Sequence, residues 1–166
     1  MKTGFTNSLL LILALTGASI ASAPGSAFAR DLTDALGTQV KVVDHPVRVV
    51  TLAPSLGELA SDLLGESIER IVGVSDYTDY PPALTKVKNV GSYARFNLEA
   101  VVALKPDLVL ATSDGNSRDQ IDHLRELHLP VLVVKTSSFS EIDQSIEILA
   151  KALDEQKTGD ALRKQL

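Results

Sequence analysis

The chain has 166 residues with 16 basic and 21 acidic side chains, a formal net charge of −5, and neither cysteine nor tryptophan. A length of this order fits one domain rather than two, and an acidic balance disfavours a nucleic-acid binder, whose usual footprint is a basic face. The missing cysteine excludes disulfides, thiolate metal sites, cysteine nucleophiles and an N-terminal lipid anchor.

Lys2 gives the N-terminus a positive start, and Leu9 to Ile20 is an apolar run too short for a comfortable bilayer span of about 20 residues. Ala27-Phe28-Ala29 is an A-x-A cleavage pattern ahead of Arg30-Asp31, whereas the earlier Ala21-Ser22-Ala23 is followed by Pro24, which disfavours processing. The expectation is a signal peptide over residues 1–29, cut after Ala29. Residues 30–166 would then be a soluble exported protein, with an uncleaved membrane anchor as the alternative. Export without an anchor points to a bacterial periplasm.

Two short alternating stretches within Asp31 to Val43 flank Leu36-Gly37 and predict a β-hairpin. Valine-rich apolar runs then recur at Val47 to Leu52, Ile71 to Val74, Leu108 to Ala111 and Val131 to Val134. Bounded by Pro, Gly and Ser, they read as strands buried on both faces, as in a parallel sheet. Pro46, Pro106 and Pro130 each disfavour helix just before them, so each marks an element ending ahead of a strand.

Helix patterns lie between the strands. Ser55-Leu56-Gly57-Glu58 has the form of a capping box with Ser55 as N-cap, and Leu59, Leu63 and Leu64 follow on one face. Asn97 caps a short segment through Leu104. Ser117 or Asn116 caps a helix striped by Ile121, Leu124, Leu127 and Leu129. Ser138-Phe139-Ser140-Glu141 is a second capping box. It opens one long amphipathic pattern through Ile142, Ile146, Leu149, Leu153 and Leu162, whose apolar face calls for a partner segment. Alternation of this kind gives an α/β sandwich.

In open α/β sheets ligands bind outside the carboxyl ends of the strands. Here those ends are Pro54-Ser55, Ser75-Asp76-Tyr77, Thr112 to Asn116 (which includes Gly115) and Thr136 to Ser138, all small or polar. Beyond Ala29 the aromatics are Tyr77, Tyr80, Tyr93, Phe96 and Phe139, and all but the last crowd into residues 77 to 96. Pro81 and Pro82 stiffen the turn after Tyr80. Tyrosines on a stiff loop present apolar faces with a polar tip at low entropic cost, which suits a large flat ligand. The alternative is that they cover a corner of the core.

The histidines form no site: His45 precedes Pro46 in a connector, and His123 and His128 miss the spacing of three or four that shares a helix face. Ser55 at a strand-to-helix turn invites a nucleophile reading. A nucleophile elbow, however, carries glycine two residues earlier, where Ala53 stands, and no late histidine supplies a base. No G-x-G-x-x-G or Walker pattern occurs. Glu99 lies in a first helical turn, where a carboxylate either offsets the helix dipole or serves as a docking knob for a partner's arginine.

Thr51-Leu52-Ala53-Pro54 with Glu58-Leu59-Ala60, then Gly73 to Pro82, Asn97-Leu98-Glu99, Ala103 to Val109 and Gly115-Asn116, resemble the periplasmic cobalamin-binding protein family from about Val47 to Leu153. Asp31 to Gly37 resembles the start of the wider group that binds iron–siderophores, haem and cobalamin. The resemblance implies a Rossmann-like, three-layer α/β lobe with a mainly parallel sheet, an N-terminal hairpin and a long C-terminal connecting helix. In the family two such lobes hold the ligand between them.

It further implies that Tyr77 and Tyr93 line the pocket, Tyr93 standing where the cobalamin receptor has a tryptophan, and that Glu99 meets arginines on an ABC permease. Thr112 replaces another pocket tryptophan, which thins the aromatic lining. The sequence stops at Leu166, within or just after the joining helix, so the expected unit over residues 30–166 is the N-terminal lobe alone.

The expectation is therefore a monomeric binding component of an ABC importer, without catalysis, cofactor or nucleic acid, whose transported ligand is cobalamin or a related metal chelate. Pro54, Ser55, Tyr77, Tyr80, Tyr93, Gly115 and Asn116 are the candidate ligand contacts, and Glu99 is the docking carboxylate. A haem or ferric-siderophore receptor is the alternative within the class, favoured by Arg95. An exported enzyme built on Ser55 and a non-binding scaffold lobe are the alternatives outside it.

Overall fold

The computed structural model describes residues 29–166. Apart from Ala29, the signal-peptide expectation lies outside the described residues. The predicted hairpin forms from β1 (Ala29–Thr33) and β2 (Gln39–Val43), paired antiparallel with Ala29 opposite Val43 and Thr33 opposite Gln39. Its turn is built by Asp34, whose Oδ1 accepts from the backbone N–H groups of Leu36 and Thr38, both at 2.9 Å. Gly37 takes the positive φ of 79° that the turn needs. The other carboxylate oxygen of the buried Asp34 pairs with Arg125, which anchors the hairpin to the body.

The valine runs become β3 (Val49–Thr51), β4 (Ile71–Val74), β6 (Leu108–Thr112) and β7 (Val131–Val134). A fifth strand, β5 (Lys88–Asn89), was not predicted. It is two exposed polar residues held only by its pairing with β4 and carries no hydrophobic signal. The five form one parallel sheet in the order β5-β4-β3-β6-β7.

Period-two alternation then splits the core. Val49, Leu108, Leu110, Leu132 and Val134 join one cluster, and Val50, Val109, Ala111, Val131 and Val133 the other. The first face is covered by α1 (Pro54–Leu64), α4 (Phe139–Leu153) and the hairpin; the second is covered by α2 (Leu98–Ala103) and α3 (Arg118–Glu126). This is the expected three-layer α/β arrangement.

Two predicted caps form. Asn97 Oδ1 accepts from Ala100 N–H at 3.0 Å, and Ser138 Oγ accepts from Glu141 N–H at 3.3 Å. Two others do not. α1 starts one residue before Ser55, with Pro54 in its first turn and Ala53 as an N-cap lacking a side-chain bond, because proline's fixed φ suits the first helical position. Ser117 is the N-cap of α3 without a side-chain bond, and Asn116 is engaged elsewhere. His128 stands beyond the end of α3 at φ 62°, so His123 and His128 do not even share the helix.

The single long C-terminal helix is also corrected. Asp154 adopts the left-handed conformation at φ 67° and ends α4. α5 (Gln156–Arg163) then folds back on α4. Gly159 permits that approach: a β-carbon there would overlap the Ala150 methyl. Arg163 fastens the pair with bonds of 2.7 and 2.8 Å to Asp143.

Candidate functional site

The chain order of the sheet reverses at its centre. From β3 the chain moves outward through β4 and β5, then returns to lay β6 and β7 on the other side. Loops after β3 and β6 therefore diverge from a switch point, where doubly wound sheets open a crevice. Pro54 and Ser55 leave one side of it; Ser55 is exposed and Pro54 half-buried. Gly115 and Asn116 occupy the other, and Asn116 joins the two sides. Its Nδ2 donates to Leu52 O at 2.7 Å and to Tyr93 O at 2.5 Å, while its Oδ1 accepts from Thr112 N–H at 2.8 Å.

Tyr93 sits on a closed loop. Gly91 and Phe96 form a β-bridge, and Asn97 N–H donates to Val90 O at 2.7 Å. Gln120 Nε2 donates to Phe96 O at 2.7 Å. Phe96 itself is buried in the core on the α2 and α3 side, so it is the loop's anchor and not part of a binding face. The Tyr93 ring lies over the backbone of Gly115, where a β-carbon would overlap its Cε2, Cζ and Oη.

The neighbouring loop is joined to this one, since Asp76 N–H donates to Gly91 O at 2.8 Å. Tyr77 follows at φ 63°, a left-handed conformation that is unusual for an aromatic residue and leaves the side chain 88% exposed. Tyr80 is 62% exposed ahead of a cis peptide bond to Pro81.

The three tyrosines are thus exposed on ordered loops and do not fill the core. The hollow beside Tyr77, lined by Ser75, Thr78, Asp79 and Leu84, holds about 230 Å³. That is below the roughly 300–1,000 Å³ of an enclosing small-molecule pocket, so this hollow by itself does not enclose a large ligand.

Asp114 ties the loop after β6 to the loop after β7. Its Oδ2 accepts from Thr136 N–H at 2.7 Å and from Thr136 Oγ1 at 3.3 Å. These contacts, the Thr136 N–H foremost, hold its carboxyl below the ordinary carboxylate range. Phe139 is 80% exposed at the start of α4. Glu99 is exposed in the first turn of α2, whose N-terminus leaves the same loop edge that carries Tyr93.

Three features escaped the sequence reading: the Asp76–Gly91 link, the grip of Gln120 on Phe96 and the Asp114–Thr136 tie. Each depends on tertiary proximity between segments that give no local signal. Among the described residues no group of three His, Asp or Glu side chains is placed to hold a metal ion. No described helix is long and apolar enough to cross a membrane.

Residues 49–166 match the family described as periplasmic binding protein. The vitamin B12-binding protein of Salmonella paratyphi A is 42% identical over 103 residues, covering 62% of this chain and 37% of that protein. An uncharacterized ABC transporter substrate-binding lipoprotein of Bacillus subtilis is 37% identical over 139 residues, covering 81% of this chain and 43% of its own length. Among solved structures, the periplasmic vitamin B12 binding protein of Vibrio cholerae superposes with a TM-score of 0.65 at 30% identity, over 72% of this chain and 46% of that one. A heme binding protein superposes with a TM-score of 0.70 at 25% identity, over 88% and 47%. The chain spans less than half the length of each of these proteins.

Proposed function

The chain belongs to the periplasmic binding protein family, and from that premise we propose that it is the N-terminal lobe of an ABC importer's substrate-binding component. It captures cobalamin or a related metal chelate in the periplasm and delivers it to the permease. One observation carries the reading: Tyr77 and Tyr93 are exposed on mutually bonded loops at the carboxyl edge of the sheet. Aromatic faces held out on a rigid edge suit a flat conjugated ligand. Pro54, Ser55 and Tyr80 border the same edge. The metal stays with its chelator, so the lobe needs no ligand set of its own. Membership in a family of binding proteins leaves the enzyme reading of Ser55 without support.

Export follows the same line, with cleavage after Ala29. Arg30 then opens the mature chain, and its side chain donates to Lys151 O and pairs with Asp44 and Asp154. A haem or ferric chelate is the second reading, favoured by the exposed Arg95 on the Tyr93 loop, which suits an anionic ligand.

Equilibrium dialysis of the full chain against cyanocobalamin and against haem separates the two. Saturable binding with preference for cyanocobalamin is expected. Preference for haem moves the assignment to the second reading, and binding of neither overturns both. Glu99 is the proposed docking carboxylate: Glu99→Arg should abolish ligand uptake by cells while leaving affinity within about twofold, because a rim charge meets the permease and not the ligand. Unimpaired uptake returns Glu99 to a helix-dipole role.

A further inference from the structure

Gly115 and Asn116 sit at the ligand edge, yet the Asn116 amide is committed to the protein. Asn116 is 8% exposed, with both amide hydrogens given to carbonyls and its oxygen taken by Thr112 N–H. The partners fix its orientation, since a flipped amide would set NH2 against an N–H and oxygen against two carbonyls. Gly115 has no side chain to offer a ligand, and the space where one would start is filled by the Tyr93 ring. Both residues therefore converge on Tyr93: one supports its ring, the other holds its carbonyl. Tyr93 remains 42% exposed, so part of its surface is seated and the rest is presented.

We propose that Gly115 and Asn116 are positioning residues that form a seat for Tyr93, fixing the ring so that its free side meets a flat ligand, and that they touch no ligand themselves. The proposal rests on the binding reading above for the identity of what Tyr93 meets. The physical gain is preorganisation. A ring already immobilised on backbone loses little further freedom when a ligand stacks on it, whereas a swinging tyrosine must be ordered at the moment of binding. The pair also explains why glycine and asparagine stand together here. Only glycine admits the ring, and only a side-chain amide supplies two donors and one acceptor to carbonyl, carbonyl and N–H partners.

The test uses the full chain carrying 3-fluorotyrosine at position 93, followed by 19F NMR without ligand and by equilibrium dialysis with cyanocobalamin. Gly115→Ala should move the 19F resonance of the free protein and weaken binding about tenfold, by unseating a preorganised contact. In a Tyr93→Ala background the same Gly115→Ala change should alter affinity less than about twofold, because coupled residues are non-additive. Asn116→Asp keeps the acceptor for Thr112 but faces a carboxylate to two carbonyls, and it provides a second route to the same pattern should Gly115→Ala fold poorly. An unmoved resonance overturns the seat, and equal losses in both backgrounds would mean that Gly115 meets the ligand directly. If the wild type binds no cyanocobalamin, the binding reading has failed while the ligand-free resonance still decides whether the seat exists.

Discussion

Asp114 reaches from the end of β6 to the loop after β7 and takes two hydrogen bonds from Thr136. Hydrogen bonding to the ionised form, led by the Thr136 N–H, depresses its pKa in the folded protein. The sign follows: the contribution is present above the unfolded-state value of about 3.9 and is lost as pH falls through the lower folded-state value. Urea midpoints followed from neutral to strongly acidic pH should show wild type losing its advantage over Asp114→Asn in that acidic window. Parallel curves across it would show that the Asp114 charge contributes nothing to stability.

Tyr77, Tyr80 and Tyr93 draw notice in the sequence because, with Phe96, they crowd into residues 77 to 96 of a chain poor in aromatics. The use made of Asn116 is not legible. A cap and a tertiary tie look identical until Leu52 and Tyr93, 64 and 23 residues away, are brought beside it.

At the scale of elements, the five-stranded sheet was readable wherever burial wrote it in valine, and β5 was missed because pairing alone defines it. The C-terminal pattern misled for a related reason. Apolar spacing continues from Leu153 to Leu162 whether the helix runs straight or breaks and folds back, and only the left-handed Asp154 decides between them. Arginines stabilise the corner. Arg70, 5% exposed, donates to Leu153 O at 2.7 Å and to Pro46 O at 2.6 Å, and Arg30 donates to Lys151 O. Cations on terminal carbonyls complement the negative end of α4.

Gly159 lets α5 lie against this corner, with its Cβ direction 3.7 Å from Leu63 Cδ2 as well as blocked by Ala150. Glycine within a helix costs about 1 kcal/mol relative to alanine, so a larger residue gains propensity there but collides. Overpacking should win for Gly159→Leu, lowering stability by about 1–3 kcal/mol in urea titration. A stabilised variant would show that α5 does not pack as described.

For the molecule as a whole, the layers place every proposed contact on one edge. The helices and hairpin cover both faces of the sheet, and the hydrophobic core is divided between them. What remains open is the carboxyl edge, where loops from β3, β4, β5 and β6 converge and are bonded to one another. The chain presents that edge as a surface with exposed tyrosines. On the binding reading proposed above, these aromatic faces perform recognition. Its most direct test is calorimetric titration of cyanocobalamin into the full chain and into the Tyr77→Ala/Tyr93→Ala double variant, with circular dichroism confirming equal folding. Two aromatic contacts of about 0.5–1.5 kcal/mol each, plus their buried area, predict an affinity loss of at least about tenfold. Undiminished affinity in the folded double variant would show that the two tyrosines do not recognise the ligand.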